Sequence, residues 1–345
     1  MNFLTKGEMA IKMSQKRIYV VTRKRKSRKK LAYFILMPIF FMIFAGTAYV
    51  TSLYIKAEKV ANESYEALDG SEQKAAATTN KVQNISVLFI GIDDSETRGY
   101  NYSTRSDALM LATFNKEDHS IKLLSIPRDS YVYVPETEEY TKINHAYAYG
   151  GTKSTIETVE ELLDIDVDYY VRMNFYAFID IVDALGGIEV NVPYDITEKN
   201  SDDLELIQIE EGIQTLNGEE ALAFARTRKQ DNDMERGKRQ QELMEAILKK
   251  AMSAKALTKY SNVLEAVGEH MKTDLTFTQM KSYLTYFLKN SNLSITSSQL
   301  QGGDSTIDGV YYYQLDEDEL EATKSSLKAH LEGIELADEE LYEVN

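Results

Sequence analysis

The chain contains no cysteine. That excludes disulfides, thiolate nucleophiles and cysteine-based zinc sites. Histidine is scarce too: His119, His145, His270 and His330 show no HExxH or other metal spacing, which leaves zinc chemistry without a ligand set. Neither a Gly-x-Ser-x-Gly elbow nor a Walker loop occurs. Arginine is rationed. Beyond residue 55 only Arg98, Arg105, Arg128, Arg172, Arg226, Arg228, Arg236 and Arg239 are present, and other positive charge there is lysine. Lysine serves a solvated surface, whereas arginine offers a planar fork of donors that fits phosphate or carboxylate. Confinement of arginine to a few motifs points to anion recognition.

Half of these arginines fall in one stretch, Phe224 to Gln240, reading FARTRKQDNDMERGKRQ. Arg226 and Arg228, two apart in a segment expected to be extended, project to one side. Arg236, Arg239 and Gln240 share a face of a helix expected to begin near Met234. Cations in a first helical turn oppose the macrodipole, so an anion is expected with them. The competing reading is a surface helix start, ion-paired to Asp231, Asp233 and Glu235.

Charge is divided along the chain. Residues 1–30 hold eleven Lys/Arg and one acid, which leaves a net charge near −26 on the remainder. That balance argues against nucleic-acid binding. Leu31 to Ile55 carries no charge over 25 positions, enough to cross a hydrocarbon core of about 30 Å. Pro38 and Gly46 are tolerated in such a helix. The basic run Arg23–Lys30 places the N-terminus in the cytoplasm. Ala45-Gly-Thr-Ala48 resembles a signal-peptidase site, but the apolar run is long for a cleaved leader. The expected layout is a cytoplasmic tail (1–30), a transmembrane helix (31–55), a helical stalk followed by a flexible linker (56–83) and an exported domain (84–345), in a single-pass protein of the cell membrane.

Within that domain, strands are expected at Ser86–Ile92, Ala108–Phe114, Ile121–Ile126, Val167–Met173, Ile188–Val192, Ser294–Leu300 and Val310–Leu315. Helices are expected at Thr152–Leu163, Phe175–Leu185, Glu242–Met252 and Phe277–Leu288, with an acidic helix from Asp316. The alternation predicts one α/β domain with a central mixed β-sheet flanked by helices. Its composition, 43% hydrophobic and 27% charged, is adequate for a sizeable core.

Three acid-bearing motifs precede the arginine stretch: Gly91-Ile-Asp93-Asp94, Arg105-Ser-Asp107 and Pro127-Arg128-Asp129. Each joins or follows a strand candidate. Carboxylates beside arginines suit a hard cation such as Mg²⁺ bridging diphosphate oxygens. They equally suit buried salt bridges that fix loops.

Together with Lys142-Ile-Asn-His-Ala146, Asp183-Ala-Leu-Gly-Gly187, Ala225-Arg-Thr-Arg228 and Asp233-Met-Glu-Arg-Gly-Lys-Arg-Gln240, these motifs occur in an order that resembles the LytR-CpsA-Psr family, over about residues 84–250. The resemblance implies a Gram-positive cell-wall ligase. Such an enzyme moves a teichoic acid or capsular polysaccharide from an undecaprenyl-diphosphate carrier to peptidoglycan at the membrane, with Mg²⁺. It implies Asp93 and Asp107 as metal ligands and Arg105, Arg128, Arg226, Arg228, Arg236, Arg239 and Gln240 around the diphosphate, with Asp93 or Asp107 as candidate base. Where the family often has arginine directly after Gly-x-Asp, this chain has Asp94, so Arg98 joins the diphosphate set as a substitute. The lipid requires an apolar cleft; Phe175, Phe178, Ile179 and Val182 are candidates for its wall, although such a stripe is more often ordinary core. Two other classes stay open: a diphosphatase that uses water as acceptor, which shares every one of these residues, and a non-catalytic wall-binding or regulatory protein, against which the Arg/Asp set counts.

Overall fold

The computed structural model describes residues 51–52, 54–68, 82–92, 105–229, 233–252, 270–290 and 293–334. The expected membrane span over 31–50, and Asp93, Asp94 and Arg98, lie outside these residues. Among the described residues no helix is long and apolar enough to cross a membrane.

The elements of the unit from Leu53 onward are β1 (Ile85–Ile92), β2 (Ser106–Asn115), β3 (Ser120–Ile126), β4 (Tyr131–Val134), β5 (Glu139–Lys142), α1 (His145–Leu163), β6 (Tyr169–Asn174) and α2 (Phe175–Ala184). They continue with β7 (Ile188–Val192), β8 (Ile196–Lys199), β9 (Leu206–Ile209), β10 (Gly212–Leu216), α3 (Gly218–Arg226) and α4 (Asp233–Ala251). Last come β11 (Met271–Thr273), α5 (Phe277–Lys289), β12 (Ser294–Gln299), β13 (Gly302–Ile307), β14 (Val310–Leu315) and α6 (Glu317–Glu332).

Six strands form the central sheet in the order β11-β6-β1-β2-β3-β12. Pairing is antiparallel at β11–β6, β1–β2 and β2–β3, and parallel at β1–β6 and β3–β12, so the sheet is mixed as expected. Apolar side chains cover both faces. Leu88, Ile90, Leu109, Leu111 and Leu124 pack on α1 and α6 through Val159, Leu163 and Leu327. Met110, Phe114, Ile121 and Leu123 pack on α5 and α4 through Tyr283, Met244 and Leu248. Sheets buried on both faces select this run of branched residues. A third cluster, including Val182, Ile188, Leu216 and Phe224, fills the space between α2, the β7–β10 pair and α3.

Two differences from the expectations have local causes. Helix α1 starts seven residues early, at His145, because non-helical Gly150 and Gly151 (φ 64°) interrupt its pattern. Glu219–Arg226 is helical, started by a reciprocal cap between Asn217 and Glu220. The stalk is helical as expected over residues 54–64, and it is packed, with Ala57, Ala61 and Ser64 buried. Beyond that helix, Glu66 donates its N–H to Thr273 O at 2.9 Å on the sheet's edge strand.

One buried histidine is structural. His330 on α6 bonds Thr113 through Nδ1 and Ser120 through Nε2, both at 2.8 Å. Burial, and then the charge of Lys122, lower its pKa to about 4, so it is neutral at pH 7.

Candidate functional site

The sheet gathers the motifs at one end. β1 and β2 are antiparallel with Ile92 opposite Ser106, so the end of one strand meets the start of the next. β3 returns to the same edge, with Ile126 opposite Leu109, and β6 runs parallel to β1, with Asn174 beside Ile92. Gly91, Asp107, Arg128 and Phe175 therefore lie around one rim. A Cβ at Gly91 would press on Ala108 Cβ at 3.2 Å, where the pairing register shifts. Arg128 donates through Nη1 to Asp107 Oδ1 at 2.6 Å.

The Lys142–Ala146 motif supports this rim. Ile143 and Asn144 donate their N–H groups to the carbonyls of Ser130 and Arg128, and Lys142 Nζ meets Asp129 Oδ1 at 2.9 Å. The Asp183–Gly187 motif is also a scaffold: the Asp183 carboxylate accepts from Gly218 N–H at 2.7 Å and fixes the start of α3.

The opposite wall is the arginine stretch. Arg226 is the last residue of α3, not part of an extended segment, and Thr227 turns the chain away (ψ 141°). Arg226 and Arg228 still both line the cleft. Arg226 stacks 5.0 Å over Phe175 and reaches Asp203 at 3.8 Å, with its side chain only 21% exposed. Arg228 is 48% exposed and pairs with Asp233 at 3.5 Å. Arg236 is buried in the first turns of α4 and donates to Asp233 at 2.9 Å. A Cβ at its neighbour Gly237 would lie 2.6 Å from Gln299, so glycine lets the helix approach the sheet.

Not every expected ligand belongs to the cleft. Arg239 is 4% exposed and donates to the carbonyls of Phe224 and Thr227 and to Tyr194 OH at 3.3 Å. Its fork clasps the C-terminal end of α3, so its expected place around a diphosphate is corrected. Gln240 lines the cleft while donating to Ala225 O at 3.4 Å. Arg105 is exposed just before β2. Burial, then the charges of Arg105 and Lys142, lower the pKa of His145, with Asp129 opposing. The apolar stripe of α2 divides: Phe175 and Phe178 face the cleft, whereas Val182 is fully buried in the third cluster and Ile179 backs onto Gly218. The period of a helix places all four on one broad side, and the packing of α3 against α2 splits that side.

The cleft encloses about 490 Å³. One end is cationic, with Arg128, Arg226, Arg228, Lys229 and Arg236; the other is lined by Met110, Phe178, Leu222, Leu243, Met244 and Ile247. Lys229, Leu222, Met244 and Ile247 went unrecognised as lining residues, although Leu243 and Ile247 share the inward stripe of α4. Among the described residues, three buried donors at the cationic end, Arg128 Nε, Arg226 Nη1 and Arg236 Nε, have no hydrogen-bond acceptor, Arg128 Nε lying 3.6 Å from Asp129 Oδ2. Buried polar groups are normally satisfied, so these aim at an anion. Burial lowers the Arg236 pKa to about 10, Arg128 and Arg228 adding to this and Asp233 opposing. Arginines that repel one another in this way gain when an anion enters.

For a metal, Asp107 is the described carboxylate at the right place: it lines the cleft and its side chain is a third exposed. Among the described residues no group of three or more His, Cys, Asp or Glu forms a cage. Mg²⁺ needs none, since one or two carboxylates, phosphate oxygens and water suffice. The donor set therefore fits Mg²⁺ held jointly with a diphosphate.

A model of the LytR_cpsA_psr family matches residues 51–329. The chain belongs to the LytR-CpsA-Psr family. A relative from Bacillus subtilis (strain 168), the polyisoprenyl-teichoic acid–peptidoglycan teichoic acid transferase TagT, is 36% identical over 320 residues, covering 90% of this chain and 98% of its own. A Staphylococcus aureus protein described as uncharacterised is 40% identical over 312 residues, 88% of this chain and 76% of its own. Among solved structures, TagT with bound octaprenyl pyrophosphate lipid is 35% identical with a TM-score of 0.57, covering 74% of this chain and 93% of that one. TagT bound to LIIa-WTA gives a TM-score of 0.62 at 37% identity, with the same coverage.

Proposed function

We propose that this LytR-CpsA-Psr protein transfers a teichoic-acid-type or capsular glycopolymer, as a glycosyl phosphate, from an undecaprenyl-diphosphate carrier to a peptidoglycan hydroxyl. The observation that carries this reading is the joined cleft: arginines with buried N–H groups that find no hydrogen-bond acceptor among the described residues open directly onto an apolar channel. A diphosphate with a polyprenyl tail has that same division. The relative that binds octaprenyl pyrophosphate supports it.

The acceptor oxygen attacks the sugar-bearing phosphorus, and the bond from that phosphorus to the bridging oxygen breaks. The electron pair leaves on the polyprenyl phosphate, where Arg226, Arg236 and Arg128 meet the growing charge. The acceptor proton passes to a carboxylate, Asp107 or Asp93. Asp107 and Asp93 would hold Mg²⁺ there, and it would supply further charge neutralisation, the carboxylate not engaged by it taking the proton.

The test combines full-length protein in detergent with lipid-linked polymer and peptidoglycan oligomers, with and without Mg²⁺. Expected are polymer attached to peptidoglycan, equimolar polyprenyl phosphate, dependence on the cation, and a loss of roughly 10²-fold or more for Asp107→Asn with an unchanged melting temperature. Polymer released into water without attachment would convert the reading to a diphosphatase, and absence of any turnover to a non-catalytic binder. Full activity in Asp107→Asn would remove both of its roles.

The same reading sets residues 31–55 across the cell membrane with the domain outside, on the strength of the uncharged run and the charge step before it. Protease added to intact protoplasts then removes the domain and leaves a small membrane-bound fragment. A soluble mature protein starting near Tyr49 would overturn that topology.

A further inference from the structure

The chain has 23 tyrosines and no tryptophan, and several tyrosines meet on two short hairpins outside the cleft. In β4, Val132 and Val134 turn inward, so Tyr131 and Tyr133 share the outer side. Tyr140 on β5 stands opposite Tyr133, their rings 5.5 Å apart, and is 61% exposed. The second hairpin, β13–β14, supplies exposed Tyr311 and half-buried Tyr312. Tyr312 meets Tyr131 edge-on at 4.9 Å across the gap between hairpins, and Lys142 Nζ lies 5.4 Å from the Tyr311 ring and 5.7 Å from the Tyr312 ring.

Cross-strand pairing within one hairpin accounts for Tyr133 with Tyr140. It does not account for rings from separate hairpins, Tyr131 and Tyr312, that meet while each stays only half-buried. The backbone joins these hairpins to the cleft: Tyr313 N–H donates to Asp129 O at 2.9 Å, and Ser130 bridges Tyr313. Asp129 adjoins Arg128, and its carboxylate holds the same Lys142. The Tyr311 hydroxyl donates to Asp304 at 2.8 Å. Burial, that hydrogen bond and the charges of Asp304, Asp129 and Asp233 raise its pKa.

We infer that the β4–β5 and β13–β14 hairpins form a carbohydrate platform that seats the glycan strand of the acceptor, peptidoglycan, beside the diphosphate cleft. This deepens the proposed transfer and rests on it for the identity of the acceptor. Tyrosine rings give flat apolar faces for the C–H side of a pyranose, and their hydroxyls and Lys142 serve the sugar's edge. Charge decides between the two glycans of the reaction. Exposed Glu136, Glu138 and Glu139 border the first hairpin, and Asp304 and Asp308 are exposed on the second. An anionic polymer is repelled by that border, whereas a glycan backbone without phosphate is not.

The test compares full-length protein in detergent with Tyr131→Ala, Tyr312→Ala and the double variant. Binding to sacculi stripped of attached polymer is expected to weaken at least tenfold in the double variant, and KM for peptidoglycan oligomers to rise in step. KM for the lipid-linked donor, binding of polyprenyl diphosphate and the melting temperature stay unchanged. Tyr→Phe at both positions keeps the ring faces and restores most of the binding. Should an alanine variant melt low, the Tyr131→Leu/Tyr312→Leu pair, which keeps bulk but lacks ring faces, replaces it. Unaltered sacculus binding overturns the platform. So does a rise in donor KM alone, which would assign the rings to the donor's sugars. A wild type that binds polyprenyl diphosphate but no sacculi sinks the platform and spares the donor cleft. One that binds sacculi through these tyrosines but no polyprenyl diphosphate sinks the transfer and spares the platform.

Discussion

Arg226→Lys slows single-turnover transfer by about 30- to 1000-fold, whereas Arg228→Lys costs no more than about fivefold. The two arginines look equivalent in the sequence, two residues apart in one motif. Their surroundings differ. Arg226 is mostly buried, stacked on Phe175, and keeps one buried Nη1 with no acceptor among the described residues. A lysine there retains the charge but loses both the stacking plane and the second donor. If that donor meets charge growing on the leaving phosphate, its loss costs roughly 2–4 kcal/mol, by comparison with lost oxyanion donors. Each 1.36 kcal/mol is tenfold in rate, which gives the stated range. Arg228 stands half exposed at the rim and pairs with Asp233 at 3.5 Å. Exposed pairs are worth at most about 1 kcal/mol, and lysine can replace this one. Single-turnover rates and melting temperatures of both variants check the split. Near-native transfer by Arg226→Lys would remove the bidentate grip, and equal losses at both positions would show that net charge, not the fork, is read.

The legible parts were those in which one local pattern decides the outcome. Short runs of branched residues located most of the central strands, because a strand covered on both faces has to be apolar along its length. Arg128, Arg226 and Arg236, which the structure brings to one cleft, stood out in the sequence because scarce arginine marks geometry rather than solubility. What could not be read depended on partners distant in the chain. Whether an arginine meets a ligand or a backbone carbonyl is set by what packs over it, so Arg236 and Arg239, three residues apart, looked alike. Val182 looked like cleft wall for the same reason. The docked segment before β1 was hidden by polar composition, although Ala57, Ala61 and Ser64 mark one helical face of small residues. Hairpins β4–β5 and β8–β9 are four-residue strands whose order comes from pairing rather than from a strong apolar alternation.

Arg239 provides the sharpest test of that distinction, since its effect should fall on stability instead of chemistry. Its guanidinium is buried, lies 5.9 Å over the Phe224 ring and donates to two carbonyls where α3 ends. Helix C-termini leave carbonyls without intrahelical partners, and a buried end has to find donors elsewhere. Arg239→Ala strands those carbonyls away from water and opens a cavity beside Phe224. Unsatisfied buried groups cost about 1–3 kcal/mol each, and the cavity adds to that, for a total of roughly 3–5 kcal/mol. At about 2–4 °C per kcal/mol for a large domain, the melting temperature should fall by about 10 °C. Arg239→Lys, which can reach one carbonyl but not both, should fall about half as far. Affinity for polyprenyl diphosphate, measured well below the melting transition, should change less than about threefold, because no Arg239 nitrogen lines the cleft. The opposite pattern, an unchanged melting temperature with affinity down a hundredfold, would return Arg239 to the diphosphate and show that the clasp on α3 opens when the lipid binds.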